Sequence, residues 1–384
     1  MAGKAKIVVV TGWYPEKTYS DFAIASKLVR VLEPSSSQIT WLAANLSSEG
    51  SLNDKTALIR INSKYVKKPF WKVFFYFLLY QVRVVLAMLR SLRLFKADVV
   101  IFSFGADLLL FPILLSRLAG KKVIIRSDDR PSFLVKRYSK QLNRAKVILF
   151  PIVEKITYAL ASKIVLEYKY MTGLYNLDEY SNKVGLGGQY IDISLFKKTK
   201  ELAARSYEVG YIGRFSEEKG ALEFVKALPS ILANRQSTAI VIGDGAQKGE
   251  IEKLLARNNI QGTVDLLGWV EHKEIPNYLN DIRILVIPSH HGGFANIVLE
   301  AMACGTVVLA TPVGGTPEVI RDGETGFIMR DNSPECIARN VMRALNHPDL
   351  EQIATNAHAL IKEEYTYEAA VERYRNILTS LKLG

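Results

Sequence analysis

Two basic side chains follow a predicted buried strand in residues 211–220, which read YIGRFSEEKG. Gly213 ends this strand, Arg214 follows it directly, and Lys219 lies where a predicted helix begins. Arginine offers a planar fork of donors to phosphate oxygens, lysine adds a compact charge, and free amides at a helix start add positive potential. The segment therefore predicts a diphosphate site, although so short a string also fits an ordinary basic surface loop.

A second stretch, residues 289–305, reads SHHGGFANIVLEAMACG and is preceded by the apolar run RILVIPS. The run reads as a strand, Gly292 and Gly293 read as a tight turn, and residues 295–304 read as a helix closed by Gly305. A helix therefore begins where a strand ends, at a place where a ligand can meet it. Farther along, Gly314 and Gly315 allow a second close approach of the backbone to a ligand.

Glu300 lies inside this second predicted helix among apolar neighbours. An ionised carboxylate in such surroundings needs a partner. A ribose diol that donates two hydrogen bonds would serve, and so would a neighbouring arginine.

The motifs between residues 205 and 335 resemble, in order and spacing, those of the family 4 retaining glycosyltransferases, which have the GT-B architecture of two facing Rossmann-like domains. The resemblance implies that Arg214 and Lys219 hold a nucleotide diphosphate and that Glu300 binds the ribose hydroxyls. It also implies that backbone amides at the start of the second helix face the donor sugar and phosphate. The implied nucleotide-sugar residues are Gly213, Arg214, Lys219, Gly293, Phe294, Ala295, Asn296 and Glu300.

One departure from the family concerns recognition of the donor sugar. The family usually has a second glutamate before the ribose-binding one, and this chain has Gly292 in that place. His290, His291 or Asn296 are the candidate substitutes. Residues 243–249, GDGAQKG, lack the G-x-G-x-x-G spacing, which argues against a dehydrogenase.

Alternation of strand and helix patterns along the whole chain predicts an α/β fold with parallel sheets covered on both faces. A length of 384 residues exceeds what one core usually organises. With the resemblance, we expect a GT-B architecture with an acceptor-binding Rossmann-like domain at residues 1–195 and a nucleotide-sugar-binding one at 196–365. Residues 366–384 are the expected C-terminal helix that returns towards the first domain, and residues 185–206 are the predicted connection.

The two cysteines, Cys304 and Cys336, provide neither a disulfide framework nor a paired metal-ligand spacing. The first residues pass directly from a few charges into a β-branched strand, which is too short for a secretory signal. These features favour a reducing, cytoplasmic setting.

The sequence offers fewer candidates for catalysis than for binding of the nucleotide sugar. Arg214 and Lys219 are the candidates for stabilising the leaving phosphate, since fixed positive charge in a water-poor cleft supplies much of such catalysis. Many relatives have a histidine after the strand corresponding to KKVIIRSDD, where this chain has Asp128 and Asp129. Asp128 is the candidate catalytic residue and Asp129 an acceptor-side residue, although helix capping or pairing with a nearby arginine would also explain them.

Gly12, after the first strand, resembles the acceptor-side loop of the family, without the usual glycine pair. Asp128 and Asp129 do not form an Asp-x-Asp metal motif. We therefore expect no metal and no cofactor apart from the donor substrate.

A basic and aromatic stretch indicates the acceptor. Residues 60–96 contain nine lysines and arginines and no aspartate or glutamate, around the aromatic run PFWKVFFYF. Cations beside apolar bulk favour an anionic lipid surface, whereas Lys72, Gln81 and Arg83 interrupt a spanning helix. A core helix with a basic outer edge is the alternative, and no nucleic-acid module accompanies the charge.

The sequence thus predicts a metal-independent retaining glycosyltransferase that moves a hexose-type unit from a UDP- or GDP-sugar to a lipid-linked or cell-surface polysaccharide acceptor. We expect it on the cytoplasmic side, peripheral on the inner face of the membrane. Two alternatives stay open: a non-catalytic nucleotide-sugar-binding or scaffold protein of the same fold, and a nucleotide-sugar epimerase of GT-B type.

Overall fold

The computed structural model describes residues 4–13, 19–45, 53–64, 70–90, 96–127, 130–133, 144–233, 238–291 and 296–383. The chain forms two compact units, Met1–Gly188 with Ala370–Gly384, and Gln189–Ala369. The two divisions were predicted after residues 195 and 365, whereas the units separate after Gly188 and after Ala369. The acceptor and donor roles of the two units stay predictions.

The first unit is built on a seven-stranded sheet in the order β3-β2-β1-β4-β5-β6-β7. All of its strand pairs are parallel. The strands are β1 (Ala5–Thr11), β2 (Ser36–Ala44), β3 (Thr56–Ile61), β4 (Val99–Ser103), β5 (Lys122–Ser127), β6 (Lys163–Leu166) and β7 (Val184–Leu186). β4 is buried along its whole length because helices cover both faces of such a sheet.

The described helices of the first unit connect these strands. They are α1 (Tyr19–Leu32), α2 (Phe70–Arg90), α3 (Leu110–Leu118), α4 (Arg144–Leu160) and α5 (Tyr170–Leu174), with 3-10 turns at Glu33–Ser35, Ala106–Leu108 and Asp178–Tyr180. The C-terminal segment of the chain completes this unit at β7, where Arg373 Nε donates to the Gly187 carbonyl over 3.1 Å.

The second unit has a six-stranded sheet in the order β10-β9-β8-β11-β12-β13, again with parallel pairs. Its strands are β8 (Tyr207–Ile212), β9 (Ala239–Ile242), β10 (Val264–Leu267), β11 (Ile282–Ile287), β12 (Val307–Ala310) and β13 (Phe327–Ile328). Its helices are α6 (Ala221–Leu232), α7 (Lys248–Arg257), α8 (Ile275–Asp281), α9 (Asn296–Ala303), α10 (Thr316–Val319), α11 (Pro334–Leu345) and α12 (Leu350–Glu364). Short 3-10 turns lie at Leu202–Ala204, Glu217–Lys219 and His272–Glu274, and α13 (Tyr367–Ser380) crosses the division between the units.

Alternate residues of the second sheet enter two separate apolar cores. Ile284 and Val286 belong to one cluster, and Leu285 and Ile287 belong to the other. This division follows from the period of two along a strand, and it explains why the strands read as continuous apolar runs. The predicted fold class, α/β with two Rossmann-like doubly wound domains, is confirmed.

The predicted alternation of strands and helices is present, and two strands, β7 and β13, were not expected from the sequence. β7 overlaps the start of the stretch predicted as a connection, and β13 has only two residues. Neither is long enough to produce an alternating pattern. The prediction that residues 185–206 form a linker is therefore wrong at its start, where Val184–Leu186 pairs with β6.

Candidate functional site

The connection after β8 carries Arg214 with its backbone fixed and its side chain exposed. The Gly213 amide donates to the Ile242 carbonyl over 3.0 Å, and the Tyr211 hydroxyl donates to the Arg214 carbonyl over 2.9 Å. Phe215 is fully buried and anchors the next residue. None of the described carboxylates forms an ion pair with the Arg214 guanidinium, so this cation is free to bind an anionic ligand.

The connection after β9 packs against the loop that carries Arg214. Gly243 has φ of +150°, and a Cβ there would lie 1.9 Å from the Gly213 carbonyl oxygen. The Phe215 amide donates to the Asp244 carbonyl over 2.8 Å. Glycine is thus required by the close approach of two loop backbones. Residues 243–249 serve as a support for the Arg214 loop, a role that the sequence analysis missed.

Lys219 lies at the start of α6, as predicted. It ends the 3-10 turn Glu217–Lys219, and Gly220 follows with φ of +71° before the helix begins. Lys219 Nζ lies 3.1 Å from Glu218 Oε1, and the lysine side chain is 30% exposed. A partly exposed pair of this kind contributes little to stability, so the lysine can exchange its partner for a phosphate at small cost.

The β8–α6 and β11–α9 connections meet. The His290 amide donates to the Glu218 carbonyl over 2.9 Å, and a Cβ on Gly220 would lie 2.1 Å from the Pro288 carbonyl oxygen. β8 and β11 are neighbours in the sheet, and the chain runs outward from them in opposite directions. Ligands of doubly wound folds bind at such a switch point, beyond the carboxyl ends of the strands.

The β11–α9 connection is described only in part. Gly293, Phe294 and Ala295, together with Gly292, lie outside the described residues. Asn296 is the first residue of α9, and its Oδ1 is buried without a hydrogen-bond partner. A buried acceptor without a partner is costly, and a donor group on a ligand would satisfy it.

Glu300 is buried in α9, and its partner is a histidine. The carboxylate is 5% exposed, and its Oε1 lies 2.9 Å from Nε2 of His272, which is 65% exposed. The neighbouring arginine considered in the sequence analysis is not the partner seen here. His272 lies between β10 and α8, so sequence spacing gave no sign of this contact.

The thiol near this helix is not a second reactive group. Cys304 follows α9 and is fully buried, and burial raises the pKa of its thiol to about 12. The Glu300 carboxylate also raises the pKa of Cys304. A thiol of this kind stays protonated and unreactive at neutral pH.

Arg205 binds the backbone at the ends of α8 and α9 and at the start of β11. Its guanidinium donates to the carbonyls of Leu279, Ile282 and Cys304 over 3.0, 2.7 and 2.7 Å, and to Thr306 Oγ1 over 2.8 Å. Burial lowers the pKa of Arg205 to about 10, which leaves it charged at neutral pH. This arginine joins the ends of α8 and α9 to β11, and it was not singled out from the sequence.

Gly12 lies at the switch point of the first sheet, between β1 and β4. Its amide donates to the Phe104 carbonyl over 3.0 Å, and a Cβ on Gly12 would lie 2.4 Å from that oxygen. The Tyr80 hydroxyl donates to the adjacent Thr11 carbonyl over 2.7 Å. Gly12 therefore permits the two loops to touch, while its predicted acceptor role stays a prediction.

Asp128 and Asp129 lie outside the described residues, but the residues beside them are well anchored. Arg126 Nη2 lies 2.7 Å from Glu167 Oε1, and Arg130 Nε lies 3.0 Å from Glu154 Oε2. Glu154 is fully buried and also accepts from the Ser132 amide over 2.6 Å. These pairs fix Arg126 and Arg130, the described residues on either side of the two aspartates.

Within the parts of the chain that the structure describes, no three or more histidine, cysteine, aspartate or glutamate side chains group as metal ligands would.

Residues 192–364 match the family described as Glycosyl transferases group 1. An uncharacterized glycosyltransferase of Methanocaldococcus jannaschii is 27% identical over 325 residues, which are 81% of this chain and 79% of that protein. The alpha-D-kanosaminyltransferase of Streptomyces kanamyceticus is 28% identical over 175 residues, which are 45% of each chain. The chain therefore spans less than half the length of the kanosaminyltransferase.

Among solved structures, Anabaena HepE in complex with UDP superimposes with a TM-score of 0.74 at 16% identity. The match covers 98% of this chain and 100% of HepE. A structural match at this low sequence identity shows the fold alone. The GT-B fold predicted from the sequence is therefore confirmed.

Proposed function

We propose that this protein is a glycosyltransferase with a nucleoside diphosphate sugar as donor, because residues 192–364 match the Glycosyl transferases group 1 family. The observation that carries the proposal is the β8/β11 switch point. Arg214 and Lys219 lie on the connection after β8, Glu300 lies in the helix that follows β11, and Arg214 forms no ion pair with any carboxylate in the described part of the chain.

Each of these groups suits one part of the donor. Arg214 and Lys219 supply donors and positive charge for the two phosphates, and the start of α6 adds free amides. Glu300 supplies two acceptor oxygens for a ribose diol, which would replace the His272 contact. Asn296 offers its unpaired Oδ1 to a hydroxyl of the donor sugar. UDP bound to HepE and the sugar transferase names of the relatives support this donor class.

The proposed reaction is retaining transfer of a hexose-type sugar from UDP or GDP. The bond between the anomeric carbon and the diphosphate oxygen breaks, and the acceptor hydroxyl oxygen bonds to the same carbon on the same face. The proton of that hydroxyl passes to the leaving diphosphate, and Arg214 and Lys219 stabilise the negative charge that develops there. No metal is assigned a role, because these cations supply the charge that the leaving group requires.

The proposed acceptor is a lipid-linked or cell-surface polysaccharide precursor, used on the cytoplasmic face of a membrane. The reason is the basic stretch of residues 60–96, which has nine cations and no carboxylate. Anionic headgroups attract such a stretch, and a lipid-linked acceptor would share that surface. Acceptor contacts are assigned to the first unit, with Gly12, Asp128 and Asp129 as the predicted residues.

The test is a panel of UDP- and GDP-sugars screened by thermal shift and then by release of the free nucleotide. Binding raises the melting temperature in proportion to occupancy of the folded state. We expect one donor to stabilise the protein and to be consumed when acceptor lipid extract is added. Stabilisation without turnover would favour the non-catalytic binding protein, and a changed sugar nucleotide without acceptor would favour the epimerase.

A further inference from the structure

Three helices of the first unit present apolar side chains to solvent. On α3, Phe111, Leu114 and Leu118 are exposed at a spacing of three and four residues, which places them on one side of the helix. Leu118 is 78% exposed. Isolated exposed apolar residues are common in soluble proteins, whereas a stripe of them marks an interaction surface.

α4 has a second stripe of the same kind. Ile148, Ile152 and Ile156 recur every four residues, and Ile148 is 65% exposed. On α2, Trp71 and Phe75 are 63% and 57% exposed, again at a spacing of four. We call the exposed sides of α2, α3 and α4 the three-helix face.

A groove runs between these helices. Its volume is about 350 Å³, and its walls include Val73 and Phe77 of α2, Phe111 of α3, and Leu149 and Val153 of α4. Gln81 and Lys146 are the polar residues among its described lining. A volume in this range is typical of small-molecule pockets, and apolar walls suit a hydrocarbon chain.

α2 lies on the unit instead of extending away from it. By length and composition alone, residues Trp71–Arg90 could cross a membrane, since their mean hydropathy is 1.6 and only 22% of this stretch is buried in the protein. However, the Tyr80 hydroxyl donates to Thr11, and the Phe111 amide donates to Gln81 Oε1 over 3.0 Å. A spanning arrangement would break both bonds, so the helix suits the membrane interface better.

The exposed charged side chains described on the three helices all have the same sign. Their described basic side chains are Lys72, Arg83, Arg90, Arg117, Lys146 and Lys155, all at least partly exposed. Their single acidic residue, Glu154, is fully buried and paired with Arg130. Every exposed charge described on these helices is therefore positive, which complements anionic headgroups.

We propose that the three-helix face docks onto an anionic phospholipid bilayer, with its apolar stripes at the acyl-chain boundary and one hydrocarbon chain of a lipid in the groove. The inference rests on the membrane location in the proposed function and extends it beyond residues 60–96 to α3 and α4. Its test measures binding and not sugar transfer, so the two can fail separately.

The first experiment is flotation with vesicles of phosphatidylcholine, with and without phosphatidylglycerol. The wild-type protein is expected to float only with the mixed vesicles and to be released by salt. The variant Leu118→Gln/Ile148→Gln/Ile152→Gln keeps the charge and the helix propensity, and it should bind at least about tenfold more weakly. Lys72→Gln should weaken binding about fivefold, the effect of removing one cation near the surface.

The matched control is Trp269→Gln. Trp269 is 73% exposed, like the substituted residues, but it lies in the second unit. This variant should float as the wild type does, and circular dichroism and melting curves confirm that each variant is folded. Undiminished flotation of the triple variant, or equal flotation with neutral vesicles, would overturn the proposal.

The second experiment uses the two highly exposed tryptophans. Trp71 lies on the three-helix face and Trp269 lies in the other unit. Mixed vesicles should shift the fluorescence of Trp269→Phe to shorter wavelength, and this shift should be smaller in Trp71→Phe, where Trp13 in the groove wall still responds. The reverse result contradicts insertion through this face. A wild-type dimer that becomes monomeric in the triple variant would also overturn the proposal and assign the face to a second copy of the chain.

Discussion

At the scale of single residues, two arginines near β8 have different tasks. Arg205 lies before the strand and is buried against backbone carbonyls, whereas Arg214 lies after it with an exposed guanidinium. The sequence pointed to Arg214 because a cation after a strand and before a helix fits a phosphate site. It gave no comparable sign for Arg205, because its carbonyl partners come from two distant segments, residues 279–282 and Cys304.

Removal of the proposed phosphate-binding cations should weaken nucleotide binding. Arg214→Ala and Lys219→Ala are each expected to cost about 2 kcal/mol, or roughly 30-fold in Kd for UDP or GDP, because each removes charged hydrogen bonds. Titration calorimetry measures the effect.

The matched controls are Arg257→Ala and Lys253→Ala on the exposed side of α7. They remove the same charges from the same unit and should leave Kd unchanged. Equal losses in the control and site variants would mean that net charge, and not the site, determines binding.

Glu300 is expected to recognise the ribose. The wild type should prefer UDP to 2′-deoxy-UDP by about tenfold, since the missing hydroxyl leaves a buried carboxylate oxygen without its donor. Glu300→Leu should bind both nucleotides weakly and equally, whereas Glu252→Leu on α7 should keep the preference. Competition binding with the two nucleotides gives the ratio, and an unchanged preference in Glu300→Leu would remove the ribose role.

At the scale of elements, the sequence predicted what short-range patterns determine. β-branched apolar runs gave the long strands, and the glycine at position 305, with φ of +68°, ends α9 as expected. The sequence did not predict the contact of His272 with Glu300 or the contact of Gly243 with Gly213. Those contacts depend on strand order, β10-β9-β8-β11, which residue spacing alone does not specify.

The loop contact at Gly243 should be essential to the second unit. Gly243→Ala would place a Cβ against a backbone oxygen at a positive φ, and we expect a loss of about 3 kcal/mol or more in the free energy of unfolding. Gly249→Ala is the control, since its Cβ meets nothing within 4 Å and α7 should gain up to about 1 kcal/mol from alanine. Urea unfolding compares the two, and equal stabilities would contradict the close contact.

At the scale of the whole molecule, each unit has its own sheet and its own switch point. The residues proposed for the donor lie on the second sheet, and Gly12 lies at the corresponding point of the first. The second unit is continuous in sequence, whereas the first needs Ala370–Gly384. We therefore propose the donor site for the second unit and the acceptor site for the first.

This organisation predicts different behaviour of fragments. Residues 189–369 contain both apolar cores of the second unit and should fold alone and bind UDP or GDP. Residues 1–188 lack Arg373 and its bond to Gly187, and they should be much less stable than the first unit in the full chain. Thermal melting of both fragments tests this expectation, and a stable fragment 1–188 beside an unfolded 189–369 would contradict it.

The central claim is that the β8/β11 switch point holds a nucleoside diphosphate sugar. The most direct measurement is the Kd of the full chain for a panel of UDP- and GDP-sugars, made in parallel with Arg214→Ala and Arg257→Ala. We predict saturable binding of at least one donor, lost in Arg214→Ala and kept in Arg257→Ala. A folded wild-type protein that binds no donor, or a donor bound equally well by all three proteins, would contradict the account.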